Sequence, residues 1–515
     1  MFEDFSSETT GFLSNWKTHK KLRENGSQTS EILTYEVQTQ SRKPRHVECQ
    51  TESMLDMMMS SQNNENENVD IPALIQFLRI AEPIVSKQIK INNLSSGLYR
   101  GIMKAKYGAS ENHIICEHVL NDKSISSQDS GIEDHGFEVT CLSWTSSGAT
   151  LAVAYGTNEN LAWSDQRSYI GLWNLDRSKI NPNACDQKLE LESCVQTISC
   201  HPELAGYIAA GLYSGLVVLW DLAKDEVIYS ETSHADPVTC ICWMQSSSAK
   251  YLEVLSSSTD GDMIVWKWRK GKETEPLKTE KHMKIRGANL PRRVGMKGHG
   301  SVGITSCCPM KGDPHDPTQT QTNVVAMGTV IVGCENGSVL KCSTEVNDSN
   351  PITFVYESHV GPVYSVEWSP FHRHLFLTCA TEQVCRIYHS LQASPLREIR
   401  PEEAVSGRSS NYLYSVFWST TRPAIIFAAG GSGRIEACDL RTSRCVSFCD
   451  VTSADGKPCS VNHMQSNSKR RNLFASGSKS VHVWRLGEGL VESAGNGQDE
   501  QAAIDGIANE AMTED

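Results

Sequence analysis

One short pattern recurs along this chain and restricts its fold: a run of alternating apolar residues that ends in tryptophan and a polar residue. The clearest copy is Gly-Leu-Val-Val-Leu-Trp-Asp-Leu at 215–222. Other copies contain Trp173, Trp266 and Trp484 in the same place. Strands that end in this way and return at a period of roughly 40–50 residues are typical of a β-propeller, a ring of repeated sheets. Because a propeller is above all a platform for partners, the pattern favours a binding protein over an enzyme.

The repeats predict an all-β fold: a seven-bladed WD-repeat β-propeller over 137–486, preceded by a disordered N-terminal region with a short amphipathic helix. Seven copies suffice to close a ring, which protects the sheet edges. The fourth copy is the most degenerate, with strands expected at 324–327, 330–333 and 338–342. Residues 113–120, ahead of the first blade, are a candidate for an extra closing strand. The predicted blades run over 139–175, 195–222, 234–268, 303–342, 359–389, 412–440 and 460–486.

Two blades open with matched histidine motifs, His-Ala-Asp-Pro-Val from His234 and His-Val-Gly-Pro-Val from His359. Ser258 and Asp260 follow the first motif, and a serine, a histidine and an aspartate together could form a hydrolase triad. However, the sequence lacks the Gly-x-Ser-x-Gly turn that exposes such a nucleophile. We therefore interpret these residues as a hydrogen-bonded brace of the blade, as in WD-repeats, and predict no enzyme. The expected structural residues of the propeller are His234, Asp260, Trp266, Trp220, Asp221 and His359.

The cysteines and the lack of a long apolar run limit the kinds of site that can be expected in this chain. The acidic start, Met-Phe-Glu-Asp-Phe, and the lack of a long apolar run predict a cytosolic protein without membrane insertion. Its 18 cysteines are then expected to be reduced thiols. The cysteine and histidine groups at 113–118, 307–308 and 438–449 lack paired Cys-x-x-Cys spacing, so no metal is predicted. Nucleotide-binding loops do not occur either, and no cofactor is expected.

The formal net charge of −13 argues against general binding to nucleic acid, which requires a basic face. One stretch, 278–297, is nevertheless basic. Two interpretations of it stay open: a solvated loop between the third and fourth blades, which is favoured, or a contact for an acidic partner such as RNA or a microtubule surface.

Both ends of the chain are expected to be disordered. Residues 1–68 are rich in Ser, Thr, Gln, Asn and Glu, so they cannot bury enough apolar surface to offset chain entropy. The final segment, 487–515, is acidic and contains no Lys or Arg. Residues 93–136 are expected to link the N-terminal region to the propeller.

In residues 69–92, by contrast, the apolar residues recur at the spacing of a helix. Asp70 can cap the N-terminus of a helix, and Pro72 suits its first turn. Pro83 lies inside the pattern and should kink or split the helix. The apolar face is wider than one stripe, so we expect another surface to cover it. Its apolar positions are Ile71, Leu74, Ile75, Phe77, Leu78, Ile80, Ala81, Ile84, Val85 and Ile89.

Three Gln-Thr pairs near the N-terminus form the sharpest functional signal. The second and third end β-competent runs, Tyr-Glu-Val-Gln-Thr-Gln and His-Val-Glu-Cys-Gln-Thr-Glu, that can add a strand to the edge of a partner's sheet. The threonines are 10 and 12 residues apart. Extended chain of that length spans roughly 33–43 Å, enough for small globular partners side by side. The candidate binding residues are Gln28, Thr29, Val37, Gln38, Thr39, Cys49, Gln50 and Thr51.

The chain has the Gln-Thr motifs first, then the wide apolar helix and then the propeller. In this order of parts it resembles a dynein intermediate chain. The resemblance is greatest to the intermediate chains of cytoplasmic dynein 2, the motor that returns intraflagellar-transport cargo to the ciliary base. It covers most of the chain and implies a non-catalytic scaffold in the cytoplasm, the cytoskeleton and the cilium, at its base and axoneme. It rests on His-Val-Glu-Cys-Gln-Thr at 46–51, Leu-Ile-Gln-Phe-Leu at 74–78, Ala-Ala-Gly-Leu-Tyr-Ser-Gly at 209–215 and Ser-His-Ala-Asp-Pro-Val at 233–238.

The resemblance also implies partners. Dimers of the eight-kilodalton light chain bind the family's Gln-Thr segments, and the glutamine caps a light-chain helix. By position, the resemblance implies that role for Gln38 and Gln50, with Gln28 as a third candidate. The first motif departs from the pattern because Ser27, a poor strand former, precedes Gln28. The family's helix binds a roadblock-type light-chain dimer, its propeller docks on the dynein heavy-chain tail, and a second, different intermediate chain completes the pair. The implied helix contacts are Leu74, Phe77, Leu78, Ala81 and Val85.

Three alternatives are set against this interpretation. An axonemal dynein intermediate chain would share the architecture, although the short N-terminal region and the paired motifs favour the transport motor. A WD-repeat adaptor, such as a substrate receptor of a ubiquitin ligase, would explain the propeller but not the region before it. An enzyme would need charged or metal-binding residues that converge on the central channel from several blades, and the sequence reveals no such cluster.

Overall fold

In the computed structural model, the described residues between 114 and 486 form seven four-stranded sheets and the loops that join them. Each sheet is one blade of a seven-bladed β-propeller, which confirms the predicted fold class. The structure describes residues 75–88, 90, 113–122, 137–156, 168–244, 250–272, 275–290, 300–310, 328–345, 350–401, 412–453, 456–492 and 497–510.

The strands follow one another blade by blade. Helix α1 (residues 75–88) and strand β1 (Ile114–Leu120) precede the first blade. Blades one to three contain β2 (Glu138–Trp144), β3 (Thr150–Gly156), β4 (Ser168–Asn174), β5 (Gln187–Leu191), β6 (Val195–Cys200), β7 (Tyr207–Leu212), β8 (Val217–Asp221), β9 (Glu226–Tyr229), β10 (Val238–Met244), β11 (Tyr251–Ser258), β12 (Asp262–Arg269) and β13 (Lys278–Lys284). Blades four and five contain β14 (Ile304–Pro309), β15 (Thr329–Cys334), β16 (Val339–Ser343), β17 (Ile352–Val355), β18 (Val363–Trp368), β19 (Leu375–Ala380), β20 (Cys385–His389) and β21 (Pro395–Ile399). Blades six and seven contain β22 (Leu413–Trp418), β23 (Ile425–Gly430), β24 (Arg434–Asp439), β25 (Arg444–Asp450), β26 (His463–Ser466), β27 (Leu473–Gly477) and β28 (Val481–Leu486), and two helices follow, α2 (Glu488–Val491) and α3 (Gly497–Glu510).

Strand pairing closes the ring. The first strands of the blades, β2, β6, β10, β14, β18, β22 and β26, contact one another in a cycle in which β26 meets β2, so they line the centre. The seventh sheet has the order β1-β28-β27-β26. Strand β1, within the segment considered as a closing strand, is therefore its outer strand, with Ile114 opposite Leu486 and Leu120 opposite Val481. The two ends of the propeller sequence meet in one sheet.

The predicted blades leave out their outer strands. In blade one, β5 lies beyond the predicted end at residue 175, and its five residues alternate weakly between exposed and buried. Such a short, half-exposed edge strand gives little periodicity in the sequence. In blade four, the predicted strands at 330–333 and 338–342 overlap β15 and β16, whereas 324–327 lies outside the described residues.

The central strands of the blades are buried on both sides because neighbouring blades pack face to face. In β3, six of the seven residues are buried. A continuous apolar run is the sequence expected of such a strand. Among the described residues, five tryptophans are less than 2% exposed and fill the space between the sheets. They are Trp173, Trp266, Trp268, Trp368 and Trp418.

Helix α1 lies inside the predicted segment 69–92. It runs through Pro83 without interruption, so the expected split at that residue is wrong. A proline removes one hydrogen bond to the carbonyl four residues earlier, and the helix continues on both sides of it. Among the described residues, no helix has the length and apolar character needed to cross a membrane.

The acidic tail is helical at 488–491 and 497–510, so the prediction of disorder for 487–515 is wrong for these described residues. In α3, the side chains of Ile504, Ile507 and Ala508 are buried in one core cluster with residues of blades five and six. Burial of this apolar edge orders the helix in spite of its acidic composition.

A buried ion pair fixes α3 to blade six. Glu500 of α3 and Arg422, between β22 and β23, are both buried. The Arg422 Nε donates to the two carboxylate oxygens of Glu500 at 3.1 and 3.3 Å. At the exposed end of α3, Arg397 Nη2 lies 2.6 Å from Glu510 Oε1. The tail is thus attached to blades five and six by both apolar and charged contacts.

Candidate binding surfaces

Helix α1 carries an exposed apolar face. Phe77, Ile80 and Ile84 are 64%, 63% and 66% exposed, which is unusual for side chains of this size. The remaining apolar residues of this face are Leu78 and Val85, both exposed, and Ala81, partly buried.

These side chains form one continuous surface. At about 100° per residue, the six fall within an arc of about 160° on one side of the helix. The opposite side carries the polar residues Gln76, Arg79, Glu82, Ser86 and Lys87. An apolar face that stays exposed in the single chain is characteristic of a site for another protein. We refer to Phe77, Leu78, Ile80, Ala81, Ile84 and Val85 as the α1 face.

The other predicted contact residues lie outside the described residues. Among the implied helix contacts, Phe77, Leu78, Ala81 and Val85 belong to the α1 face, whereas Leu74 is outside. The binding role of the Gln-Thr motifs therefore stays a prediction from the sequence. The motif residues concerned are Gln28, Thr29, Val37, Gln38, Thr39, Cys49, Gln50 and Thr51.

A chain of hydrogen bonds braces blade three. Trp266 Nε1 donates to Ser256 Oγ at 2.7 Å, and the same oxygen lies 2.7 Å from His234 Nε2. The other ring nitrogen, His234 Nδ1, lies 3.5 Å from Asp260 Oδ2. All four side chains are buried, and the hydroxyl of Ser256 is shared between two neighbours. This geometry joins β11 and β12 to the loop before β10 and keeps the hydroxyl of Ser256 buried, away from any substrate.

The serine in this chain is Ser256 and not Ser258, as the sequence suggested. Ser258 Oγ donates instead to the backbone carbonyl of Asp236 at 3.0 Å. Burial alone would raise the pKa of Asp260, but hydrogen bonds from His234 and from the N–H groups of Asp262 and Ala235 outweigh it and hold the pKa below its usual range.

Blade five uses the same arrangement with different residues. His359 Nε2 lies 2.7 Å from Thr378 Oγ1, and His359 Nδ1 lies 2.5 Å from Glu382 Oε1. Tyr388 stands where blade three has its tryptophan. Burial lowers the pKa of His359 to about 4 against the opposing effect of Glu382. The imidazole is therefore neutral at pH 7, as suits an internal hydrogen-bonding group.

Blade two lacks this arrangement. Ala210 occupies the position of the bracing serine, opposite Val218. Trp220 Nε1 accordingly donates to Asp225 Oδ1 at 3.3 Å. The neighbouring Asp221 is buried and accepts a hydrogen bond from the backbone N–H of Ala223 at 3.0 Å. Trp220 and Asp221 therefore organise the turn after β8.

One face of blades five and six carries exposed large side chains. Val360, in the loop before β18, is 77% exposed, and Tyr412, in the loop before β22, is exposed as well. Tyr364 packs edge-on against Tyr414, with ring centroids 5.2 Å apart. Loops that precede the first strands of successive blades lie on the same face of a propeller. We refer to Val360, Tyr364, Tyr412 and Tyr414 as the aromatic patch.

Comparison with known proteins agrees with this architecture. Residues 225–267 and 350–389, each of which spans the outer strand of one blade and the first three strands of the next, match the family model described as WD domain, G-beta repeat. Over 516 residues the chain is 30% identical to cytoplasmic dynein 2 intermediate chain 2 of Mus musculus, with 94% of this chain and 89% of the relative covered. The chain belongs to the cytoplasmic dynein 2 intermediate chain family. The Homo sapiens protein of the same description is also 30% identical, over 450 residues that cover 82% of this chain and 77% of the relative.

An axonemal relative matches a smaller share of this dynein 2 intermediate chain. Dynein intermediate chain 3, ciliary, of Heliocidaris crassispina is 30% identical over 311 residues, which cover 58% of this chain and 45% of the relative. The alignment with the mouse protein covers 94% of this chain and so must include residues ahead of the propeller. The longer match favours the cytoplasmic dynein 2 family over the axonemal alternative.

The dynein 2 intermediate chain also contains a thiol cluster that sequence analysis missed. Cys240 and Cys242 of β10 and Cys307 of β14 have sulfur atoms that all lie within 4.8 Å of one another. Cys-x-Cys inside a strand is a visible signal, because alternate residues share one face of a strand. The third member could not be found in the sequence, because only the closed ring places β14 beside β10.

Proposed function

We propose that this protein is a non-catalytic scaffold of the cytoplasmic dynein 2 motor, which holds light chains through its N-terminal region and the heavy-chain tail through its propeller. In this role it supports retrograde intraflagellar transport and cilium assembly, and it is found in the cytoplasm, on the cytoskeleton and at the base and axoneme of the cilium. The observation that carries the proposal is the α1 face, which is exposed in a chain of this family.

The short length and the exposed apolar surface of α1 favour a partner that stays bound to it. Helices shorter than about 12–15 residues are marginal in water without tertiary contacts. Full burial of a Val, Leu, Ile or Phe side chain contributes about 1.5–3 kcal/mol. The α1 face offers several such side chains, among them Phe77 and Ile84, on one continuous surface. A roadblock-type light-chain dimer that covers this face would bury the apolar surface and stabilise the helix.

The Gln-Thr motifs extend the same assembly. Dimers of the eight-kilodalton light chain have two equivalent grooves, so each dimer would join this chain to the second intermediate chain. After the first dimer binds, the two chains are held together, which raises the effective concentration for the next. The two heavy chains would thereby be kept as a pair.

We assign the heavy-chain contact to the aromatic patch. Tyrosine is enriched at the centres of protein interfaces because it combines a large apolar surface with a hydroxyl that can form a hydrogen bond. In the patch, Tyr364 and Tyr412 are exposed and belong to neighbouring blades. A helical or extended segment of the heavy-chain tail could pack across both blades.

The α1 face can be tested directly with the double variant Phe77→Ala and Val85→Ala. Alanine keeps the helix propensity and removes only apolar surface. We expect binding of a roadblock-type light-chain dimer to the full-length chain to weaken by about a hundredfold or more, from the loss of two buried side chains. Pull-down and fluorescence-detected titration with the purified dimer measure this.

The matched control is Gln76→Ala and Ser86→Ala, two changes on the polar side of the same helix. This variant should bind as the unmodified chain does. Equal binding by all three proteins, or equal loss in both variants, would contradict the assignment of the α1 face to the light-chain dimer.

A further inference from the structure

The thiol cluster lies at the contact between blades three and four. Cys240 and Cys242 are half-buried on β10, and Cys307 is buried on the adjacent β14. The Sγ atom of Cys242 lies 3.8 Å from the Sγ atom of Cys240 and 3.9 Å from the Sγ atom of Cys307. Both strands line the centre of the ring. The two half-buried thiols therefore provide a route from solvent to the cluster.

These separations fit a metal–thiolate site. Zinc–sulfur bonds are about 2.3 Å long, and a tetrahedral angle between two of them places the sulfur atoms about 3.8 Å apart. The two measured separations agree with that value before any adjustment of the side chains. Three thiols from two strands meet at this one point, so three sulfur ligands are available to a single ion.

Neighbouring polar groups hold the thiols of the cluster in place. The Sγ of Cys240 lies 3.2 Å from the backbone oxygen of Cys307. Ser257 Oγ donates a hydrogen bond to the sulfur of Cys307, at 3.6 Å. Ser257 lies in β11, behind the cluster, in the position of an outer partner that orients a metal ligand.

We propose that Cys240, Cys242 and Cys307 form a three-thiolate site for a thiophilic d10 cation of the Zn²⁺ or Cu(I) class. Soft thiolate ligands select these metals over Mg²⁺ or Ca²⁺. When the metal binds, each remaining S–H bond is replaced by a sulfur–metal bond and its proton passes to solvent, with no change in oxidation state. The fourth position of a Zn²⁺ ion would face the half-buried side of the cluster and hold water or a partner's ligand. The metal would join β10 to β14 and hence blade three to blade four.

The test uses the reduced, metal-free full-length protein and Zn²⁺ alone. We expect one high-affinity equivalent in competition with a chromophoric chelator, and a higher melting temperature of the loaded protein, because the metal binds only the folded site. Cys307→Ser should weaken this equivalent by more than the roughly 10–100-fold that loss of an outer partner costs. Cys449→Ala, which removes a half-buried thiol from an outer strand, is the control and should bind as the unmodified chain does.

A second measurement protects the test against a variant that fails to fold. Alkylation of the unmodified protein, followed by peptide mass spectrometry, should show that Zn²⁺ or Cu(I) protects Cys240, Cys242 and Cys307 and leaves the reactivity of Cys449 unchanged. Protection by Cu(I) alone would identify the copper member of the class. Equal reactivity of the three thiols with and without either metal, or their recovery as a disulfide from the reduced protein with metal present, would overturn the proposal.

Discussion

At the scale of single residues, the brace of blade three depends on one hydroxyl. Ser256→Ala leaves the indole N–H of Trp266 and the Nε2 of His234 without that partner inside a buried site. Loss of a partner from buried polar groups costs about 1–3 kcal/mol of folding stability. Urea unfolding of the full-length chain measures it. Ser394→Ala removes an exposed hydroxyl and should change stability by about 0.5 kcal/mol or less; equal stability of the two variants would contradict the brace.

The same site shows how far residue-level prediction reaches. His234, Asp260 and Trp266 were identified from the spacing of their motif, which is local in sequence. The choice among the three consecutive serines at 256–258 depends on register, and the structure places Ser256 opposite Ile264, two residues before Trp266. Register is fixed by contacts between strands, so the sequence of one strand could not decide it.

At the scale of single elements, α3 depends on the ion pair between Glu500 and Arg422. Glu500→Ala leaves the guanidinium buried without its carboxylate, which costs about 3–5 kcal/mol for a buried pair. Limited proteolysis and thermal unfolding should both show an earlier release of the tail. The control is Glu510→Ala, whose exposed pair with Arg397 should contribute about 1 kcal/mol or less. The same proteolysis rate for both variants would show that the buried pair does not hold α3.

The two terminal helices differ in how well the sequence predicted them. The spacing of apolar residues in α1 is dense enough to predict a helix by itself. The kink or split predicted at Pro83 was not a reliable guide, because the helix continues through that residue. In α3, the spacing of Ile504 and Ile507 is also helical, but the acidic residues around them dominate the composition. The surface that buries these two residues is built from blades five and six, and it exists only in the folded ring.

At the scale of the whole molecule, the proposed scaffold role assigns the heavy-chain contact to the aromatic patch of the propeller. The double variant Tyr364→Ser and Tyr412→Ser removes two aromatic rings from the aromatic patch. Aromatic residues at the centre of an interface each contribute about 2 kcal/mol or more, so we expect heavy-chain recovery to fall at least about tenfold while light-chain recovery stays unchanged. Tyr229→Ser, on the outer strand of blade two, is the matched control. Unchanged heavy-chain recovery by the double variant would remove the patch from the interface.

The number of blades could be predicted because apolar-alternating strands recur along the chain, and four of them end in tryptophan: Trp173, Trp220, Trp266 and Trp484. The faces of the ring could not, because they are formed by loops from different repeats, such as those that contain Val360 and Tyr412. The thiol cluster has the same origin, since Cys240 and Cys307 meet only when two blades pack together. Local patterns therefore indicated the repeats, and surfaces shared between repeats required the assembled ring.

The most direct test of the scaffold account is affinity purification of the tagged full-length chain from ciliated cells, with mass spectrometry of the proteins that accompany it. The account predicts the dynein 2 heavy chain, eight-kilodalton and roadblock-type light chains and a second, different intermediate chain. Recovery of axonemal dynein chains in their place, or of ubiquitin-ligase subunits without any dynein chain, would contradict it.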